Sequence, residues 1–252
     1  MPNFLDIKDL NKNELNQIIE NANNWKLKQA PKFLQNKNII MIFEKPSLRT
    51  RVSFEVGIKE LGGSVTVLNS SELKLGERES IFDTVKVLER YVDMIIIRSF
   101  DHNILKEISE TSNIPVINAL TDHSHPCQVI SDLLTIKEKL GEISQKKISW
   151  FGDCNNVTQS WIEAAVLFDI ELYIATPRRI LPNSKTMDWV KNNNGKVIIT
   201  DDVTLAAKKA DCVITDTWVS MGDKKTKSID EFRPFQVDEK IMSMTSENAL
   251  FM

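Results

Sequence analysis

The sequence predicts an α/β protein made of two doubly wound parallel-sheet domains joined by a helix. Short β-branched runs alternate with longer amphipathic ones along the chain, the pattern of parallel strands wrapped by helices. Four of the short runs precede an amphipathic stretch that opens at Pro126, and the others follow it. Gly141-Glu142-Ile143-Ser144 then breaks the periodicity, which places a boundary between domains over 1–140 and 141–252.

In chain order, the spacing predicts a helix over 8–22 and a strand over 39–43, the run Ile39-Ile40-Met41-Ile42-Phe43. A helix over 48–61 follows, with Val52, Phe54, Ile58 and Leu61 at helical spacing and Gly62-Gly63 to stop it. Strands over 64–68, 94–97 and 115–117 and helices over 80–91 and 103–110 complete the first domain, and a helix over 126–139 leaves it. The second domain is read as strands over 147–150, 171–174, 197–200, 212–215 and 249–251 with helices over 156–168, 184–193 and 202–209. Asn192-Asn193-Asn194-Gly195 reads as a turn.

Composition narrows the function. The chain has 252 residues, 42% of them apolar, enough for two cores. With 32 basic against 35 acidic residues it lacks the basic surplus that suits nucleic acid or a membrane surface, so small soluble ligands are expected. Cys127, Cys154 and Cys212 are odd in number and lack metal spacing, which favours a reducing compartment. No apolar run approaches the roughly 20 residues of a membrane span, and the start, Met1-Pro2-Asn3-Phe4-Leu5-Asp6, lacks an export signal, so a cytoplasmic location is expected. His102, His123 and His125 have no Cys or acid at metal-ligand spacing, so no metal site is expected. Phe151-Gly152-Asp153-Cys154-Asn155-Asn156 has one glycine and is no dinucleotide fingerprint.

The chemistry gathers at strand ends. Ser47-Leu48-Arg49-Thr50-Arg51 follows the strand over 39–43 and opens a helix, so unpaired amides, hydroxyls and a guanidinium can meet one phosphate. The same five residues also suit an ordinary capped helix with two solvated arginines. Arg98, Asn118, His125-Pro126-Cys127-Gln128, Asp153 to Asn156, and Asp216 each stand just past a predicted strand, where open parallel sheets bind ligands. Singly each has a structural role, Asn156 as a helix cap and Asp216 as a turn former. Together they suit a ligand set with an anionic end, a carbonyl and an amino-acid end.

These motifs resemble those of the aspartate and ornithine carbamoyltransferases along the whole chain. Phe43-Glu44-Lys45-Pro46-Ser47-Leu48-Arg49-Thr50-Arg51 is similar to the family's carbamoyl-phosphate loop, with Leu48 where threonine is usual. His125-Pro126-Cys127-Gln128 matches His-Pro-x-Gln, and Asp216-Thr217-Trp218-Val219-Ser220-Met221-Gly222 resembles the ornithine-selective motif. The resemblance implies carbamoyl transfer from carbamoyl phosphate to L-ornithine, in arginine biosynthesis, without metal or cofactor, by a homotrimer. It implies phosphate binding by Ser47, Leu48 (through its backbone N–H), Arg49 and Thr50, with Lys74 reaching a neighbouring subunit's site. Arg98, His125 and Gln128 would orient and polarise the carbamoyl group, and Asn156, Asp216, Ser220 and Met221 would hold ornithine. Another amine acceptor, or a carbamoyl-phosphate-binding protein without catalysis, is the alternative. In the family a His-Cys-Leu-Pro loop and a terminal helix follow the strand corresponding to 248–251. The sequence stops at Met252, so the expectation is a chain lacking that segment, with low turnover as given.

Overall fold

The computed structural model describes residues 3–28, 30–69, 75–76, 79–219 and 228–252. The chain divides into two compact units, Met1–Gln128 and Val129–Met252.

In the first unit, strands β1 (Asn38–Phe43), β2 (Ser64–Asn69), β3 (Met94–Arg98) and β4 (Val116–Leu120) form an all-parallel sheet in the order β2-β1-β3-β4. Helices α1 (Lys12–Leu27), α2 (Leu48–Glu60), α3 (Ile81–Leu88) and α4 (His102–Thr111) belong to this unit, and α5 (Pro126–Leu140) begins in it. Alternation along β1 explains the layering. Ile39, Met41 and Phe43 cluster with Ile58 of α2, whereas Ile40 and Ile42 cluster with Ile81 and Val85 of α3 and Leu105 and Ile108 of α4. Five of the six β1 residues are buried, as a strand covered on both faces requires.

The second unit repeats the plan. Strands β5 (Lys147–Phe151), β6 (Glu171–Ala175), β7 (Lys196–Thr200), β8 (Cys212–Thr215) and β9 (Leu250–Phe251) are parallel in the order β7-β6-β5-β8-β9. Helices α6 (Asn156–Phe168), α7 (Ser184–Asn192), α8 (Val203–Ala207), α9 (Ile229–Phe232) and α10 (Glu239–Met242) belong to it. Phe151 and Val213 pack with Ala206, Ala207, Phe235 and Ile241 in its core.

Several boundaries differ from expectation for local reasons. The first helix starts at Lys12 rather than near 8, because Asn11 accepts the amides of Asn13 and Glu14 at 2.9 and 3.1 Å while Glu14 accepts the amide of Asn11 at 2.8 Å. Ile7–Asp9 is instead a short 3-10 turn. The strand expected over 115–117 runs to Leu120, so Asn118 lies within it, its side chain donating to the Leu5 carbonyl at 2.8 Å. Helix α2 ends as expected: Gly62 takes φ +91, a conformation costly for residues with a Cβ.

Candidate active site

The strand orders locate a ligand crevice in each sheet. In the first, the chain leaves β1 through α2 to β2 on one side and leaves β3 through α4 to β4 on the other, so the order reverses between β1 and β3. In the second, the reversal falls between β5 and β8. Open parallel sheets bind ligands at the carboxyl edge of such a reversal, where two loops diverge and leave a gap.

At the first reversal Phe43 stands beside Arg98 in register. The loop after β1 is anchored. The Glu44 amide donates to the Arg98 carbonyl at 2.9 Å, the Ser99 hydroxyl donates to the Glu44 carboxylate, and buried Lys45 is paired with Asp122. Ser47 then caps α2, accepting the Thr50 amide at 3.3 Å, and its hydroxyl lies 2.9 Å from Thr50 Oγ1. Arg98 donates from Nη1 to the same Thr50 Oγ1 at 3.2 Å. Helix geometry leaves the amides of Leu48 and Arg49 without an intrahelical acceptor, so they point out of the helix start with its positive dipole end. The Leu48 side chain is 79% exposed, and only its backbone N–H is available to an anion. Arg49 is exposed and makes no hydrogen bond or ion pair among the described residues.

Arg98 is 8% exposed, and its Nε is a buried donor with no partner among the described residues. An unsatisfied guanidinium N–H in a crevice is costly unless a ligand accepts from it. Burial lowers the Arg98 pKa, yet a guanidinium stays charged in a protein. Burial first, and the Arg98 charge second, push His125 down to about 4, so its imidazole is neutral at neutral pH. His125 immediately precedes α5, with Pro126 at the first helical position and exposed Gln128 in the first turn.

At the second reversal Asn155 Nδ2 donates to Asp216 Oδ2 at 2.9 Å, tying the loop after β5 to the loop after β8. Asn155 also caps α6, accepting the amides of Val157 and Thr158 at 2.9 and 3.1 Å. Gly152 has φ +126, and a Cβ there would lie 3.1 Å from the Trp218 indole. Glycine therefore admits both the turn and the ring. Trp218 stacks on Phe232 with centroids 5.9 Å apart. Thr215, Asp216, Thr217, Trp218, Gln236 and Phe251 line an open cleft of about 310 Å³. The exposed Asp216 carboxylate gives that cleft a negative group suited to an ammonium.

Of the expected site residues, Ser47, Leu48, Arg49, Thr50, Arg98, His125 and Gln128 fall in the first unit, and Asn156 and Asp216 in the second. Lys74, Ser220 and Met221 lie outside the described residues. The cap on α6 is Asn155 rather than Asn156, which is the first helical residue. The sequence reading placed Asn155 in the Asp153-to-Asn156 stretch but gave the cap to its neighbour, although an Asn just before an apolar helix is a cap signal. It also missed Trp218 against Gly152, since nothing local announces that contact. Neither Cys127 nor Cys212 is placed to act as a nucleophile: burial pushes each thiol up to about 12.

The family model for the carbamoyl-phosphate-binding domain of aspartate/ornithine carbamoyltransferases matches residues 2–138, and the model for the Asp/Orn-binding domain matches residues 144–252. The chain belongs to the aspartate/ornithine carbamoyltransferase family. Ornithine carbamoyltransferases of Bradyrhizobium diazoefficiens and Agrobacterium fabrum are each 44% identical to it, over 99% of this chain and 83% of theirs. Among solved structures, ornithine carbamoyltransferase from Pyrococcus furiosus superposes with a TM-score of 0.93 at 37% identity, over 100% of this chain and 83% of that one. The anabolic enzyme from Campylobacter jejuni gives 0.93 at 38%, over 100% and 85%. The carbamoyltransferase family thus accounts for both sheets, and its phosphate-binding domain contains the reversal at which α2 starts.

Proposed function

We propose that this protein transfers the carbamoyl group of carbamoyl phosphate to the side-chain amine of L-ornithine, giving L-citrulline and phosphate. The observation that carries the reading is the pairing of chemistry with strand reversal. The first sheet offers hydroxyls, helix-start amides and a buried Arg98 with a spare donor, and the second offers a carboxylate and an aromatic cleft. Residues 1–140 would form the carbamoyl-phosphate domain and 141–252 the ornithine domain.

In this reading Ser47, Thr50, Arg49 and the Leu48 amide hold the phosphate. Attack by the amine forms a C–N bond and builds negative charge on the carbonyl oxygen. Arg98 and the neutral His125 imidazole donate to that oxygen, and Gln128 orients the carbamoyl nitrogen. The C–O bond to phosphate then breaks, and the charge passes to a leaving group already held by Arg49 and the helix start. An alkylamine with a pKa of about 10.4 is neutral in roughly one molecule in a few thousand at pH 7, so ornithine must meet the carbon as the neutral amine, and the proton its nitrogen sheds once the C–N bond has formed passes to the departing phosphate. Asp216, with Asn156, Ser220 and Met221, holds the amino-acid end of ornithine. The family resemblance further supports a cytoplasmic homotrimer acting in arginine biosynthesis, with Lys74 contributing to a neighbour's phosphate site. No helix among the described residues is long and apolar enough to cross a membrane.

The test is citrulline formation against a panel of ornithine, aspartate, acetylornithine and putrescine at equal carbamoyl phosphate. Ornithine should give the highest kcat/KM by a wide margin. Preference for another amine would reassign the second cleft, and carbamoyl phosphate binding without turnover on any amine would leave a binding protein.

A further inference from the structure

Away from both strand reversals, the first unit brings together three side chains that metal ions favour. Asp6, His102 and His123 place one ligand atom each within 4.8 Å of one another. Sequence spacing concealed this, because Asp6 arrives from the chain start. The start is fixed there by the sheet: the Phe4 amide donates to the Val116 carbonyl at 2.9 Å, and the Asn118 amide donates to the Phe4 carbonyl at 2.8 Å.

Asp6 is 3% exposed and His102 8%. His102 Nε2 is buried, makes no well-formed hydrogen bond among the described residues, and faces Asp6 Oδ2 at 3.4 Å. A buried imidazole nitrogen facing a buried carboxylate at 3.4 Å makes at best a long, weak contact, so that nitrogen is undersatisfied while Asp6 still accepts from Ser124. The gap has a meaning in metal geometry. Two ligands about 2.05 Å from a tetrahedral ion stand roughly 3.3 Å apart. The rings of His102 and His123 are 4.6 Å apart at 50°, so half-buried His123 holds a third nitrogen close to the same centre.

We propose that Asp6, His102 and His123 form a binding site for a divalent transition-metal ion of the Zn²⁺ class, with solvent as the fourth ligand. Two imidazoles and one carboxylate form a donor set suited to such an ion rather than to Ca²⁺ or Mg²⁺, which prefer oxygen. The outer shell is already in place. His102 Nδ1 lies 3.0 Å from Thr121 Oγ1, which can accept the Nδ1 proton and so leave the Nε2 lone pair for the ion. The Ser124 hydroxyl donates to Asp6 Oδ1 at 2.5 Å, and Asn118 donates to Ser124 Oγ at 3.0 Å, fixing the carboxylate from behind. Lys8 Nζ, 4.0 Å from Asp6 Oδ2, opposes a cation, but its side chain is 36% exposed and can swing into water. The ion would tie the chain start to α4 and to the loop before His125, a structural role separate from carbamoyl transfer.

The experiment is calorimetric titration of the chelator-treated full chain with ZnCl₂, with thermal melting run in parallel. One equivalent should bind, and Zn²⁺ should raise the melting temperature. His123→Gln, at a half-buried loop position, should weaken binding by roughly 100-fold, no less than the 10- to 100-fold cost of losing an outer-shell partner, and should abolish the melting shift. Lys8→Ala keeps all three ligands and should bind at least as tightly. The proposal fails if no saturable binding occurs below about 1 mM, if His123→Gln binds as well as the parent, or if Lys8→Ala binds more weakly.

Discussion

The Arg98 guanidinium reaches from the last residue of β3 to the first turn of α2, where Nη1 donates to Thr50 Oγ1 at 3.2 Å. A permanent charge is thereby held at the start of a helix before any ligand arrives. Two like fields, the guanidinium and the dipole end, are stable together only because backbone and hydroxyl groups fix them, and an anion relieves both.

Thr50→Val should therefore weaken carbamoyl phosphate by about 1.5 to 3 kcal/mol, the scale of a hydrogen bond to a charged group, with Thr50→Ser restoring most of it. Calorimetry on the three proteins checks this. Equal affinities would mean that the Thr50 hydroxyl only braces Ser47 and Arg98.

Arg49→Ala should cost about 2 to 4 kcal/mol of carbamoyl phosphate affinity if the guanidinium closes on the phosphate as a desolvated fork. Arg49 is exposed and has no partner among the described residues, so its removal leaves no buried group stranded. Unchanged melting with lost affinity is the expected pair of results, and unchanged affinity would remove Arg49 from the site.

Asp216→Ala should raise the KM for ornithine roughly 10- to 100-fold while changing that for carbamoyl phosphate little, because a carboxylate facing an ammonium has no part in holding phosphate. The same change removes the 2.9 Å bond from Asn155. Steady-state kinetics with each substrate varied, beside Asn155→Ala, separates the roles. Equal effects on both constants would make Asp216 a loop-tying residue.

Gly152→Ala should destabilise the protein by about 1 to 3 kcal/mol, the cost of holding a residue with a Cβ in a sparsely populated backbone region. The added Cβ would also press on the Trp218 ring at 3.1 Å. Denaturant midpoints measure the first effect and Trp218 fluorescence the second. A neutral result would mean that the indole moves aside freely.

Much of this architecture was legible in the sequence, because strands covered on both faces read as continuous apolar runs and the helices between them are long enough to show their period. Helix α6 matches its expected bounds, Asn156–Phe168, and β8 its own, Cys212–Thr215. The short pieces Ile229–Phe232, Arg233–Phe235 and Glu239–Met242 went unread, since four residues carry about one helical turn and no measurable period. The phosphate-binding half of the candidate site was legible because Ser47 to Thr50 are contiguous. The contacts of Arg98 with Thr50 and of Asp6 with His102 were not, because strand order alone decides which distant residues meet.

The tether between the chain start and β4 also constrains how the first unit is made. Asn3 Oδ1 accepts the Val116 amide at 2.9 Å and Asp6 accepts from Ser124, so these bonds span more than a hundred residues of sequence. Contacts of such separation form late, after the loop entropy of everything between them has been overcome. During synthesis at about 5 to 20 residues per second, Ser124 appears roughly 6 to 24 s after Asp6. For nearly all of that interval Asn3 to Asp6 lack the edge they will cover, because β4 has not yet been made. Asn3 to Asp6, though made long before β4, are therefore among the last residues of the first unit to settle.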